Sequence, residues 1–427
     1  MTGATTATLA NLLQKKYLPG IVRQFNDDFP LLKFIRQNSE DITAEGDEAI
    51  IAMEFGVNEG GGFHGESSDV EDSGYPVIET TKVSLKQMTF RARITYKLMK
   101  KARTNANAFA RGAQKQMTAT REGFTLRANT YLWGDGSGVV ARVAAVDLAG
   151  SDSIVLDRAY GLSDGGSPES LIRPGMKLHI LDTKGYTAGV TNDRGQGIVK
   201  TVDFDTGTEG QIRVTFRENY TLANVAVDDY VYIGNTIEGW KDPGESEDNS
   251  PAMGMLGFYD HDLRNPLQGV NTNTQPQFKA EKITISQATV ISDLRKARNR
   301  IAKRQRNGRL SYMISSYETH ERYSAALDSK VEFRNVRRLD GFWEVGVFDG
   351  RPWFRDHTAP DGRVFFVPDG RTIERYAVDN FINFVDEGGN PLKQVPNKTV
   401  FDAYLTAVYE YGIRRRNNLV SGVGMSW

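Results

Sequence analysis

The stretch from Thr104 to Gly138 reads TNANAFARGAQKQMTATREGFTLRANTYLWGDGSG. Apolar or small residues recur in it every three or four positions, which is the spacing of one helix face. These positions are Ala106, Phe109, Ala113, Met117, Thr120, Phe124, Ala128 and Tyr131. Thr104 or Asn105 can cap the first turn, and the glycines after Trp133 end the pattern. The stretch predicts a helical strut over 105–132, about 40 Å long.

Two strand-like runs precede this helix. Apolar residues alternate from Ala49 to Val57, on odd numbers from Thr81 to Leu85, and on even numbers from Met88 to Tyr96. Alternation with a period of two is typical of half-buried strands. The change of parity near Gln87 predicts a bulge or a bend.

Between the two runs lies a long polar tip, Asn58–Tyr75, with five glycines and no lysine or arginine. Its five acids are Glu59, Glu66, Asp69, Glu71 and Asp72. Charge then reverses, because the 42 residues from Thr80 to Arg121 contain eleven basic residues and no acid. Those that we single out as contact or DNA-facing candidates are Arg91, Arg93, Lys97, Lys100, Lys101, Arg103, Arg111 and Lys115.

This separation of charge has three interpretations. The acidic tip can dock on the basic element of a neighbouring copy, or the basic element can face a polyanion. Alternatively, two solvated faces balance each other within one molecule. A loop as long and polar as 58–75 favours a role outside its own domain.

The flanking segments differ in character. Residues 1–45 carry irregular apolar residues broken by prolines, which fits an arm along another surface or a short helix pair. From Val139 to Tyr232 short strand patterns predict a small barrel or sandwich. Lys241–Pro251 resembles a linker, and Ser286–Arg304 has a helical stripe. Thr399–Tyr411 fits a strand or a short helix.

Composition excludes several function classes. The chain has no cysteine, so disulfides, cysteine-ligated zinc, iron–sulfur clusters and thiol catalysis are excluded. Lysine and arginine total 53 against 54 aspartate and glutamate, which argues against a dedicated nucleic-acid binder. No apolar run approaches the roughly 18 residues that a membrane span needs.

The motifs of catalysis are absent or isolated. Gly60–Gly65 matches G-x-G-x-x-G, but an acidic loop would repel a pyrophosphate. Asp205–Thr208 spells D-T-G-T, the half-site of an aspartic protease, yet that chemistry needs two carboxylates, and a hairpin turn explains the sequence better. The five histidines lie far apart and indicate no metal site. We therefore predict a protein that is not an enzyme and uses no cofactor or metal.

The most basic window is Arg295–Arg306. Phosphate binding is one interpretation, although aromatic residues for base stacking are missing. A solvated helix face or ion pairs between subunits is the simpler interpretation.

The order of these pieces resembles the major capsid proteins of tailed bacteriophages with the HK97-type fold. The segments that carry the resemblance are Leu132–Gly138, Pro174–Leu178, Asp229–Tyr232, Gly254–Gly257, Leu267–Val270, Pro276–Ala280 and Gly350–Asp356. The resemblance implies an α+β fold with an N-terminal arm (1–45), an extended E-loop hairpin (46–103), and a spine helix with the peripheral domain (104–155). It further implies a β-rich inserted domain (156–245), and an axial domain with the return strands of the peripheral domain (251–427).

The same resemblance implies a structural protein whose pentamers and hexamers form an icosahedral shell around double-stranded phage DNA, in a virion assembled in the host cytoplasm. Its implied partners are other copies of the chain, a portal protein, a separate scaffolding protein, a decoration protein and packaged DNA bound without sequence specificity, but no membrane. Two alternatives stay open: an encapsulin-like compartment with the same shell fold, and a hydrolase built around Asp205.

Overall fold

The structure is a computed structural model of the 427-residue chain. It describes residues 29–38, 48–58, 60, 63–64, 66, 72, 74–96, 106–147, 152–184, 193–208, 210–217, 222, 224–234, 250–304, 309–327, 337–339, 342–368, 372–377, 383–384, 393–396 and 398–426. The α-helices in these residues are α1 Pro30–Phe34, α2 Ala106–Trp133, α3 Met255–Tyr259, α4 Val290–Arg304 and α5 Tyr317–Leu327. They combine with two sheets, a hairpin and a closed barrel, a mixture that agrees with the predicted α+β class. The predicted arm, 1–45, lies mostly outside the described residues.

The first sheet is organised by one long strand, β20. Its strands are β1 Arg36–Asn38, β4 Lys86–Thr95, β17 Ile373–Ala377, β18 Asn383–Phe384, β19 Lys393–Gln394 and β20 Val400–Ile413. β20 pairs antiparallel with β4, β17, β18 and β19, and β1 joins β17 in parallel. The segment for which the sequence left strand and helix open is therefore a strand.

The predicted strut is α2, within one residue of the expected bounds at each end. Its second half packs on the first sheet through Phe124, Ala128 and Leu132, all fully buried. The ring of Phe124 lies 5.5 Å from that of Phe90 on β4, centroid to centroid. The apolar stripe of the helix therefore covers the even-numbered face of β4.

The glycine-rich turn after α2 receives a segment from far along the chain. Gly136 and Gly138 have φ of +84° and +85°, a conformation that glycine adopts without strain. Asp135 accepts a hydrogen bond from the backbone N–H of Ser137 at 3.0 Å. A Cβ at Gly254 would lie 2.5 Å from three carbonyl oxygens at the end of α2. Only glycine lets the segment before α3 approach the helix end so closely.

Two strands form a separate hairpin, β2 Glu48–Gly56 and β3 Val77–Ser84. β3 ends at Ser84 and β4 begins at Lys86, so the chain leaves the hairpin and enters the first sheet at Leu85. The parity change predicted near Gln87 is thus a change of sheet two residues earlier, rather than a bulge within one strand.

The β-rich region is a closed six-stranded barrel. Its strands are β5 Val139–Asp147, β6 Ser153–Asp157, β7 Lys177–Leu181, β8 Asp193–Asp203, β9 Ile212–Phe216 and β10 Tyr230–Ile233, in the closed order β10-β5-β6-β9-β8-β7. Alternate residues such as Leu156, Ile180 and Val214 fill the interior and are fully buried. The barrel includes β5 and the start of β6, which precede the boundary at 156 implied by the resemblance.

The last third forms a seven-stranded sheet with the order β11-β21-β16-β12-β15-β14-β13. These strands are β11 Glu281–Thr284, β12 Leu310–Ser315, β13 Arg337–Leu339, β14 Phe342–Phe348, β15 Arg351–Arg355, β16 Val364–Pro368 and β21 Val420–Val423. Helix α4 packs on it through Val290, Leu294, Ala297 and Ile301, all buried. This stripe confirms the helix predicted over 286–304.

A buried arginine joins the two sheets. Arg416 lies between β20 and β21 and is fully buried. Its guanidinium donates to the carbonyl oxygens of Phe258 and Gly257, both at 2.9 Å, and of Arg264 at 3.0 Å. Burial lowers the pKa of Arg416 to about 10. The side chain therefore satisfies the carbonyls at the end of α3, which have no partner within that short helix.

Replacing Arg416 with methionine is expected to lower the free energy of unfolding by about 3–5 kcal/mol, because several buried carbonyl oxygens lose their donors. The measurement is urea denaturation followed by tryptophan fluorescence. The neighbouring Arg415 is exposed, so Arg415→Met is the matched control and should change stability little. Equal losses from the two variants would show that the buried hydrogen bonds are not the cause.

Candidate assembly surfaces

The base of the β2–β3 hairpin is held firmly. Ala49, Ile51 and Val83 are buried beneath it. At its side, the Nε2 of Gln275 donates to Glu79 at 2.5 Å, and the ring of Phe55 contacts that of Phe278 edge-on at 6.0 Å. The hairpin therefore leaves the body of the molecule in a fixed direction.

The far end of the hairpin exposes large apolar side chains. Val57 is 64% exposed, Ile78 59%, Tyr75 80%, and Phe63 fully exposed. Apolar groups concentrated on one projecting element are typical of a surface that another molecule covers. Only the acids of this tip were predicted from the sequence as contact residues. The aromatic residues Phe63 and Tyr75, in an otherwise polar loop, are the sequence signal that points to the apolar part of this surface.

The acidic residues of the tip are only partly described. Glu66 and Asp72 are exposed, and neither forms an ion pair with another residue in the described part of the chain. Glu59, Asp69 and Glu71 lie outside the described residues. The role of the acidic tip in a contact remains a prediction.

The structure brings two of the predicted basic residues onto one carboxylate. Arg93 on β4 contacts Asp402 on β20 through two hydrogen bonds of 2.7 and 2.8 Å, and Arg91 lies 3.7 Å from the same carboxylate. The hydrogen bonds from Arg93 hold the pKa of Asp402 below its usual range. The charge of Arg93 is therefore compensated within the chain, whereas Arg91 is more exposed.

The side chains of the other predicted basic residues lie outside the described part of the structure. Arg111 and Lys115 lie on α2, whose backbone alone is described there. Lys97, Lys100, Lys101 and Arg103 fall in the undescribed segment between β4 and α2. Their contact or DNA-facing role remains a prediction. Lys86 was not among the candidates, and it is anchored inside the molecule by Glu410 at 3.2 Å.

Asp205 lies in the turn between β8 and β9, as the hairpin interpretation predicted. The residue is exposed, and its backbone N–H donates to Asp203 at 3.1 Å. An exposed carboxylate in a tight turn lacks the shared proton and the covered site that aspartic-type hydrolysis uses. The geometry gives no support to the hydrolase alternative.

The histidines are distributed over separate environments. His179 is buried in the barrel, and His320 lies 5.2 Å from the ring of Trp353. Burial lowers the pKa of His320 to about 4. Among the residues that the structure describes, no group of three or more histidine, aspartate or glutamate side chains is placed to hold a metal ion.

The basic window around α4 is largely paired within the chain. Arg298 contacts Asp349, and Arg304 lies 2.8 Å from Glu281. Lys296 pairs with Asp293 on the same helix at 2.7 Å. The window therefore fits a solvated helix face with internal ion pairs better than a phosphate site.

No helix in the described part of the chain is long and apolar enough to span a membrane. No family model matches the sequence, and no curated protein does. The similar solved structures are mostly phage capsid proteins, at near-complete coverage of the chain.

Three of these structures illustrate the range. The capsid asymmetric unit of cyanophage A-1(L) is 13% identical, has a TM-score of 0.45, and covers 99% of this chain and 100% of its own. The holo-SrpI encapsulin complex of Synechococcus elongatus PCC 7942 is 9% identical, has a TM-score of 0.45, and covers 99% and 96%. The capsid of Myoviridae phage XM1 is 8% identical, has a TM-score of 0.45, and covers 97% of each chain. Similarity at this level leaves the functional interpretation to the residues of this chain.

Replacing Val57 and Ile78 together with serine is expected to leave the melting temperature nearly unchanged, because both side chains are already exposed. The same double variant should form fewer high-molecular-mass assemblies in sedimentation velocity. The matched control is Phe204→Ser with Val227→Ser, which removes apolar side chains of similar exposure from the barrel. Equal assembly by both double variants and the unchanged protein would contradict the role of the hairpin.

Proposed function

We propose that this chain is the major capsid protein of a tailed bacteriophage, whose copies assemble as pentamers and hexamers into an icosahedral shell around double-stranded DNA. The observation that supports this most is the hairpin, with a fixed base and an exposed apolar and acidic tip. The order of hairpin, long helix, barrel and final mixed sheet gives further support.

A closed shell needs many interfaces of moderate size, each made by an element that reaches a neighbouring copy. The nine residues of β2 alone extend about 30 Å, to which the tip adds further reach. In the described residues, β2 and β3 form a strand ladder only with each other. The backbone N–H of Lys82 on β3 donates to the carbonyl oxygen of Gln268 at 3.4 Å, so the outer edge of β2 is the edge that we propose for pairing with a neighbouring copy. An unpaired hairpin of this kind is marginal alone and gains stability when a partner covers it.

The charges of the tip favour one kind of partner surface in such a contact. The tip carries five acids and no base, and exposed acids at a contact favour a basic partner surface and disfavour an acidic one. The Lys97–Arg121 stretch of an adjacent copy is the partner surface we propose. The N-arm would add a second link between neighbours.

The same basic stretch has a second proposed role toward DNA. A row of lysines and arginines without acids neutralises phosphates without reading the base sequence. Packaged DNA needs no sequence recognition, so this arrangement suffices. A portal, a separate scaffolding protein and a decoration protein complete the proposed partners, in a virion assembled in the host cytoplasm.

The encapsulin-like alternative uses the same kind of shell with a protein cargo in place of DNA. The content of particles purified from producing cells separates the two functions. Nuclease-protected double-stranded DNA supports the phage shell, and a co-purifying enzyme without DNA supports the compartment.

Purified protein is expected to form shells, tubes or rings of five and six in negative-stain electron microscopy. Charge reversal to lysine at Glu66, Asp69 and Glu71 together should abolish these assemblies without unfolding the chain, since all three belong to the polar tip and Glu66, the one that the structure describes, is exposed. Circular dichroism checks folding. The matched control reverses three acids of the barrel hairpin, Asp203, Asp205 and Glu209.

Normal shells from the tip variant would refute the proposed contact while leaving the shell function intact. Failure of the control variant as well would point to net charge rather than to the tip. If the unchanged protein stays monomeric, adding lysate from infected cells tests whether a scaffold is required, and a monomer there too would contradict the shell function.

Replacing Lys100, Lys101 and Arg103 with alanine is expected to weaken DNA retention in filled particles. Each lost phosphate contact weakens the binding of DNA, so the variant particles should release DNA at lower salt. A salt titration with dye detection of released DNA measures this. Lys200→Ala with Arg217→Ala on the barrel is the control, and identical release curves for all particles would contradict a DNA-facing role.

A further inference from the structure

The barrel and the seven-stranded sheet meet at one small junction. The loop after β6, residues 158–170, lies against the turn 356–363 that precedes β16. The hydroxyl of Tyr160 donates to the carbonyl oxygen of Thr358 at 2.7 Å. The backbone N–H of Asp361 donates to the carbonyl oxygen of Gly165 at 3.2 Å. The loop is thus fixed to the turn by both side-chain and backbone hydrogen bonds.

The carboxyl group of Asp361 is covered by the backbone of the barrel loop. Gly166 has φ of +71°, and a Cβ built on it would overlap the carboxylate of Asp361. At the next position, a Cβ on Gly165 would overlap the carbonyl of Ala159. The close approach therefore depends on two glycines, and it removes one side of the carboxyl group from water.

A second carboxyl group faces Asp361 from α5. Glu318 lies in the first turn of that helix. Both side chains line a cavity of about 30 Å³ together with Glu169 of the barrel loop and His357. A negative charge beside a covered carboxyl group disfavours the ionisation of that group, so Glu318 favours the protonated form of Asp361.

The remaining charged groups at the junction oppose this effect only in part. Arg322, one turn further along α5, favours the ionised form of Asp361, as does a hydrogen bond from Ser316. Arg363 is engaged elsewhere, by Asp164 at 3.3 Å and Asp260 at 3.1 Å. Burial and the neighbouring Glu318 outweigh them and raise the pKa of Asp361 to about 7.

We propose that a proton on Asp361 keeps the barrel loop seated on the seven-stranded sheet, and that loss of this proton loosens the junction. The ligand of this site is a proton. The proposal does not depend on whether the assembled chain encloses DNA or a protein cargo. It would make the position of the barrel sensitive to pH in the neutral range.

The direction of the pH dependence follows from the raised pKa. An aspartate freed from the junction ionises near pH 4, whereas the seated one holds its proton to about pH 7. The seated state therefore binds more protons than the open state across this interval, and its advantage falls as pH rises through 7. Above pH 7 both states are ionised, and the dependence levels off.

The test is hydrogen–deuterium exchange of the full chain, read by mass spectrometry on peptides covering 158–171. After correction for the intrinsic exchange rate, the protection of these amides should fall at least about tenfold between pH 5.5 and 8. In Asp361→Asn the protection should change less than about twofold over the same range. Asp205→Asn, in an exposed turn of the same barrel, should behave like the unchanged protein.

Glu318→Gln provides a second variant at an exposed position, which should fold even if Asp361→Asn does not. Without the neighbouring charge, the pKa of Asp361 should fall, so the loss of protection between pH 5.5 and 8 should be smaller and should level off at lower pH. Protection that is independent of pH in the unchanged protein overturns the proposal. So does a pH dependence that Asp361→Asn and Glu318→Gln both leave unaltered.

Discussion

The buried guanidinium of Arg416 fixes the relation between the two large sheets. Only a short connection separates β20 of the first sheet from β21 of the second, and Arg416 lies in it. Its donors satisfy carbonyl oxygens in the 257–264 segment, and that segment in turn enters the glycine turn at the end of α2. Because a buried guanidinium is costly without acceptors, the three segments can come together in only one arrangement. Rigidity at this centre lets the hairpin and the barrel project from a defined frame.

Exposed apolar side chains are concentrated at the far end of the β2–β3 hairpin. Ala49, Ile51 and Met53 on β2 are buried against the body, whereas Val57, directly after the strand ends at Gly56, is exposed. The chain therefore passes from core to surface between Met53 and Val57. A chain that folded only for its own stability would gain by making that tip polar. The combination of a buried base and an apolar tip is explained when a neighbouring copy completes the burial.

Much of this organisation follows from local sequence pattern, and the rest does not. The helix over 105–132, the glycine stop at Gly134 and the β-rich region could be predicted because periodicity and turn residues are local properties. The pairing of Arg93 with Asp402 could not be predicted, because the two residues lie about 300 positions apart and no local sequence pattern links them. The junction at Asp361 was missed for the same reason: its glycines and carboxyl groups become informative only once the barrel loop lies on the sheet. For the candidate surface, the acids of the tip were predictable and the importance of Phe63 and Ile78 was not.

The near-zero net charge also acquires a physical meaning in the fold. Arg93 is neutralised by Asp402, and Arg298 and Arg304 on α4 have carboxylate partners within the same chain. Pairs of this kind hold elements together and contribute nothing to the field that a second molecule meets. Glu66 and Asp72 at the tip differ, because neither has an ion-pair partner in the described part of the chain. The net charge near zero, from 53 basic and 54 acidic residues, therefore does not show how charge is distributed over the surface. Sorting charges by whether the described part of the fold pairs them separates the acids of the tip from the ion-paired residues of the body, and the proposed contact depends on the acids of the tip.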